Sequence, residues 1–226
     1  MKNIYINISG VVGVGKSSLC DILKSYDFNC FKEPVLENKI LESFYKDKKK
    51  YALASQLFFL NARLKMIQKA SKLNFSVIDR GMHEDMLFAK NLFLRQELSP
   101  EEFEIYQQIY ENYNNLIKKP DLVIYLKISP ENAIKRIKQR DRSFENLKDI
   151  SYWHNLNQQY ENFFQSFDQS RLLEIDVNDV DFVNSMNDQH FILGKIFSRV
   201  NSLSRSHNGM GSHLKTFKLI DELTKK

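Results

Sequence analysis

The chain has 226 residues, enough for one large or two small domains, and its 42% apolar content can fill a core while no apolar run nears the ~20 residues of a membrane span. The net charge of +5 suits a polyphosphate site and permits nucleic-acid binding without requiring it; no alternation of basic and aromatic residues marks a single-strand groove. Met1-Lys2-Asn3 enter the first expected strand directly, leaving no room for a signal peptide, and Cys20 and Cys30 read as buried free thiols, so a cytoplasmic protein is expected.

Short apolar runs alternate with longer amphipathic stretches, the pattern of βαβ units in a parallel sheet. Strands are expected at 3–9, 29–32, 75–79, 122–127 and 172–176. Helices are expected at 17–26, 36–46, 50–72, 82–95, 100–117, 130–139, 146–167 and 186–201.

The first strand runs into Gly10-Val11-Val12-Gly13-Val14-Gly15-Lys16-Ser17-Ser18, which matches the phosphate-binding pattern G-x-x-x-x-G-K-[ST]. Strand, loop and helix in that order bring backbone N–H groups and a helix N-terminus onto a phosphate chain. Lys16 then reaches the β- and γ-phosphates, and the Ser17 hydroxyl ligates Mg²⁺.

In an open parallel sheet, ligands bind beyond the carboxyl ends of the strands. Glu33-Pro34 ends the second strand, where a carboxylate can accept the proton of a substrate hydroxyl. The basic run Lys46 to Lys50 reads as a solvated loop or a helix start. Tyr51 to Ser71, free of Gly and Pro, is the most helical stretch. On it Gln56, Leu60 and Arg63 share a face. Either the two polar residues look into solvent, or they are buried and need partners that a base edge and Asp85 would supply. Asp79 ends the third strand and points into the site as the best Mg²⁺ partner; Arg80 follows and can hold an acceptor oxygen or phosphate. Asp121 begins its strand and belongs at the opposite edge. Pro130 suits the first turn of a helix that ends in the cluster Arg136, Lys138, Arg140 and Arg142. Beside a phosphate loop, that cluster reads as a lid supplying arginine charge; alone, as a basic helix end.

No internal boundary is marked before residue 201. Residues 1–201 are expected to form one kinase domain, and 202–226, opening with the Ser/Asn/Gly-rich stretch Ser204 to Ser212, an extra helix or mobile tail. The expected architecture is α/β: a P-loop kinase fold with a five-stranded parallel sheet, flanking helices and an arginine-rich lid.

From about residue 3 to 200 these pieces resemble the deoxynucleoside kinase family, above all its bacterial deoxyadenosine and deoxyguanosine kinases. The resemblance rests on Glu33-Pro34-Val35, Gln56, Arg63, Asp79-Arg80-Gly81, Asp85 and the arginine cluster, in family order and spacing. It implies that Glu33 is the base for a 5′-hydroxyl, that Tyr45 and Glu145 hold the sugar 3′-hydroxyl, and that Gln56, Arg63 and Asp85 read the base. It also implies that Asp79 serves the metal, Arg80 the 5′-oxygen, and Arg136, Arg140 and Arg142 the migrating phosphoryl group. Gly81 stands where the family usually has Ser or Thr. ATP, Mg²⁺ and a purine deoxynucleoside are the implied ligands, and a homodimer the implied assembly. Other readings are a nucleoside monophosphate kinase of thymidylate-kinase type, a nucleotide-binding regulator and a nucleic-acid-stimulated ATPase. Against a GTPase, the one Asn-Lys, Asn38-Lys39-Ile40-Leu41, breaks the N-K-x-D pattern.

Overall fold

The computed structural model describes residues 3–35, 39–140 and 149–205, the side chains of Arg140 and Arg205 excepted. Five strands, β1 (Tyr5–Ser9), β2 (Asn29–Phe31), β3 (Ser76–Asp79), β4 (Leu122–Lys127) and β5 (Leu172–Asp176), form one parallel sheet in the order β2-β3-β1-β4-β5. Every residue of β1 and β3 is buried, as expected of strands covered by helices on both faces. β1 lies between β3 and β4, with β2 beyond the one and β5 beyond the other; the chain crosses from one side of β1 to the other after β3, and the crevice where ligands bind opens at the end of β1.

Eight α-helices follow among the described residues: α1 (Lys16–Lys24), α2 (Leu41–Lys46), α3 (Lys48–Ala70), α4 (Met82–Leu94), α5 (Pro100–Asn115), α6 (Pro130–Arg140), α7 (Ile150–Gln165) and α8 (Met186–Arg205). None is long and apolar enough to cross a membrane. Local chemistry sets their limits. Asp47 accepts a hydrogen bond from the Lys50 amide at 3.1 Å, which starts α3 and separates it from α2. Ser99 and Glu102 form a capping box ahead of α5. Several expected limits move by a few residues. α2 begins at Leu41, not 36, after a turn at Lys39 and Ile40. α8 continues through Arg205, because the Ser204 hydroxyl turns back onto the Val200 carbonyl at 2.9 Å instead of breaking the helix. The tail beyond Arg205 lies outside the described residues.

The buried positions of α3 are Ala52, Ser55, Gln56, Leu60, Arg63, Ile67 and Ala70, a stripe that from Gln56 onward runs at spacings of four and three. Gln56 and Arg63 therefore face inward. Asp121 sits at the far edge of the sheet, accepting from the Tyr5 amide and from Lys118. The basic run is a helix start, one of its two expected readings, since α3 begins at Lys48; Lys48 itself is not solvated but drawn into an ion cluster with Asp149 and Glu97.

Candidate active site

The register of the sheet builds the site. Asp79 pairs with Ile8, and the Arg80 amide donates to the Ile8 carbonyl at 2.9 Å, so the acidic end of β3 lies beside the start of the phosphate loop. Gly10 opens that loop with φ +145°, and a Cβ there would meet the Leu126 carbonyl oxygen at 2.6 Å. Lys16 folds over the loop and donates to the Gly10 and Val11 carbonyls at 2.7 and 3.0 Å. Burial, helped by Arg80, pushes its ammonium down to about 8. The Ser17 hydroxyl donates to Asp79 Oδ2 at 2.5 Å, and Asp79 Oδ1 is buried without a partner. Burial also raises the Asp79 carboxyl above its ordinary value.

Arg63 is the hub of the opposite wall. It is 1% exposed. Its guanidinium donates to the Asp79 carbonyl at 2.8 Å, to Glu33 Oε1 at 2.8 Å and to Asp85 at 3.2 and 3.4 Å. Glu33 Oε1 also lies 3.2 Å from Arg80 Nε, an ion pair without the alignment of a hydrogen bond. Burial alone would raise the Glu33 carboxyl; Arg80, Arg63 and Lys16 outweigh it and hold the group below its ordinary value. Asp85 shows the other balance: burial wins over Arg63 and lifts it to about 6. Arg80 has φ +76°, a left-handed conformation rare for a long side chain, and its guanidinium stacks 4.2 Å from the centre of the Phe88 ring. Gly81 follows because a Cβ there would sit 2.3 Å from Asn7 Nδ2; Asn7 fills the space a Ser or Thr side chain would take.

One cavity of about 950 Å³ joins these parts. Its donor side is the loop from Val12 to Ser18 with Arg136, Asn178 and Phe182; its acceptor side holds Glu33, Tyr45, Gln56, Phe59, Asp85, Phe88 and Tyr152. The expected residues Glu33, Tyr45, Gln56, Asp79, Arg80 and Asp85 all line it. Arg63 does not: it stands behind the wall and grips the carboxylates that do. Arg136 lines the cavity but spends its guanidinium on the carbonyls of Val14, Val177 and Val180, at 3.3, 2.6 and 3.2 Å, stitching the phosphate loop to the segment after β5. The Arg140 side chain, Arg142 and Glu145 lie outside the described residues.

Sequence reasoning passed over Glu84. Fully buried, it accepts from the Gly81 amide at 2.9 Å, the Gly10 amide at 3.2 Å and the Tyr160 hydroxyl at 2.6 Å, tying the phosphate loop to the turn after β3 and to α7. Its signal was a Glu three residues after Gly81, the N3 position of a helix start. Tyr152 and the Asn178–Asn184 segment were also missed, and no local pattern marks them.

Fold and site define a P-loop phosphotransferase, with a phosphate cradle facing an acceptor pocket. The deoxynucleoside kinase family model matches residues 6–201, and the chain belongs to that family, whose members phosphorylate deoxynucleosides. It is 37% identical over 210 residues to deoxyadenosine kinase of Lactobacillus acidophilus, covering 88% of this chain and 97% of that one. It is 32% identical over 210 residues to deoxyguanosine kinase of Lactobacillus johnsonii, covering 88% and 94%. Deoxyadenosine kinase from M. mycoides, solved with the products dCMP and dCDP, superposes with a TM-score of 0.76 at 35% identity, over 86% of this chain and 100% of that one.

Proposed function

We propose that the chain transfers the γ-phosphoryl group of ATP to the 5′-hydroxyl of a purine deoxynucleoside, deoxyadenosine or deoxyguanosine. The observation that carries this reading is Glu33, an ionised carboxylate held by Arg63 and Arg80 between the phosphate cradle and the acceptor pocket. The names of the relatives above support the purine preference. In this reading Glu33 accepts the hydroxyl proton as the O5′–phosphorus bond forms and the bond to the departing ADP breaks. Lys16 and Arg80 stabilise charge on the moving group, together with Arg140 and Arg142. Gln56 and Asp85 face the base, with Arg63 fixing Asp85; Tyr45 and Glu145 hold the sugar.

Among the described residues no three His, Cys, Asp or Glu side chains gather into a metal site. Ser17 and Asp79 nonetheless fit Mg²⁺: both offer hard oxygen donors, and Asp79 Oδ1 is buried and unpaired. Nucleotide phosphates would complete the shell, and the bound ion would neutralise phosphate charge. A homodimer and a cytoplasmic location belong to this reading; Leu94 at the end of α4, Ile105 on α5 and Leu116 just after α5 are exposed apolar side chains.

The test is incubation with ATP, Mg²⁺ and each of the four deoxynucleosides, with dTMP and dAMP as further acceptors. A 5′-monophosphate from deoxyadenosine or deoxyguanosine is expected. Phosphorylation of the monophosphates alone would overturn the role given to Glu33.

A further inference from the structure

Three helices meet in a charged cluster beside the acceptor side of the cavity. Asp149 caps α7: its Oδ1 accepts from the Tyr152 amide at 3.1 Å and the Ser151 hydroxyl at 2.9 Å. Its Oδ2 accepts from Arg95, at the end of α4, at 2.6 Å and from Lys48, at the start of α3, at 3.0 Å. Glu97 competes for the same cations, its Oε1 lying 3.3 Å from Arg95 Nε and 3.8 Å from Lys48 Nζ. All four side chains are between 12% and 23% exposed. The two cations lie over one ring: Lys48 Nζ is 4.0 Å and the Arg95 guanidinium 5.5 Å from the centre of Tyr152. Tyr152 is buried and lines the cavity.

A helix cap needs only an acceptor, which Ser, Asn or Asp supplies equally well. The charge of Asp149 does something a cap does not require. Asp149 is the second carboxylate, beside Glu97, that holds one cation from α3 and one from α4 over the face of Tyr152, where ring and cation attract. We propose that Asp149 is a positioning residue for the acceptor pocket, holding Lys48 and Arg95 on Tyr152 and so fixing the wall that a deoxynucleoside meets. The inference rests on the nucleoside-kinase reading above.

Asp149→Asn keeps the cap and removes the charge. The expected result is a rise of about tenfold in KM for the deoxynucleoside, the scale of a lost charge-assisted hydrogen bond, with KM for ATP within about twofold of the parent. Tyr152→Leu should raise the nucleoside KM to a similar degree alone and add little in the Asp149→Asn background. Trp153, the chain's one tryptophan, stands edge-on to Tyr152 at 5.0 Å, so its fluorescence follows deoxyadenosine binding without catalysis. Weaker deoxyadenosine binding by Asp149→Asn in that titration supports the proposal even if the parent transfers no phosphate, an outcome that would sink the kinase reading alone. Equal rises in both KM values, an unchanged nucleoside KM, or independent effects of the two substitutions would overturn it. If Asp149→Asn does not fold, Lys48→Gln leaves the cap of α7 intact and carries the same expectation.

Discussion

Arg63 and Glu33 share a 2.8 Å ion pair although they come from different layers of the fold, one from the buried face of α3 and the other from the loop beyond β2. Arg63 holds Asp85 with the same guanidinium, so one buried cation fixes two carboxylates of the cavity wall. Removing it takes from Asp85 its ion-pair partner and leaves Glu33 with Arg80 alone, in a site built around the lost cation. Arg63→Met is expected to cost about 3–5 kcal/mol in urea unfolding, because a broken buried pair strands its partners. Replacing Asp85 by Leu as well should restore part of that loss. A loss for Arg63→Met below ~1 kcal/mol, the range of surface pairs, would mean that the pairing contributes no more than an exposed one.

Glu33→Gln preserves shape and removes the proton acceptor. Turnover should fall by about 10²–10⁴-fold, the usual range for a general base, while ATP affinity changes little. Steady-state kinetics beside direct ATP titration separates the two. A collapse of ATP binding would place Glu33 in the phosphate cradle instead.

Much of this site was legible in the sequence because its chemistry is local. The glycine pattern from Gly10 to Gly15 and the strand-end positions of Glu33 and Asp79 follow from short-range rules, and the strand order then brings them together. Arg63 was readable only as a choice between solvent and core; the sheet and α4 decide it, by placing the Asp79 carbonyl and Asp85 against its face of α3. Glu84 and Asp149 stayed hidden for one reason. Each caps a helix, which sequence can suggest, but each also holds groups from distant segments, Tyr160 for one and Lys48 and Arg95 for the other, and no local pattern encodes that. Arg136 shows the reverse: a residue legible as phosphate-facing charge turns out to bind backbone carbonyls, because the segment after β5 passes within its reach.

Glu84 gives a contrast between two substitutions. Tyr160→Phe removes one bond to a buried carboxylate and should cost about 1.5–3 kcal/mol of stability with little change in KM for ATP, since the Gly10 and Gly81 amides keep their acceptor. Glu84→Gln turns an amide NH₂ towards a backbone donor or the tyrosine hydroxyl and disturbs the phosphate loop itself. Its KM for ATP should rise by about tenfold or more. If Tyr160→Phe raises KM for ATP as much as Glu84→Gln does, the bond to Gly10 is not what orders the loop.

Lys16 makes nucleotide binding depend on pH. Its ammonium titrates at about 8 in the folded protein, against an ordinary 10.5, because burial and Arg80 disfavour the charge. Between those values the unfolded chain holds a proton that the native state has released. This group's contribution to stability therefore rises with pH from about 8 to 10.5 and is at its least favourable below 8. A triphosphate reverses the balance by bringing negative charge to the ammonium, so binding at pH 8–9 should take up a proton. ATP affinity should then fall above pH 8, approaching about tenfold per pH unit where the lysine is mostly neutral in the free protein. Calorimetry in buffers of different ionisation enthalpy measures the proton, and titrations from pH 7 to about 9.5 measure the slope. Lys16→Met should bind ATP weakly, with the fall above pH 8 removed. An unaltered slope in that variant would assign the titration to another group.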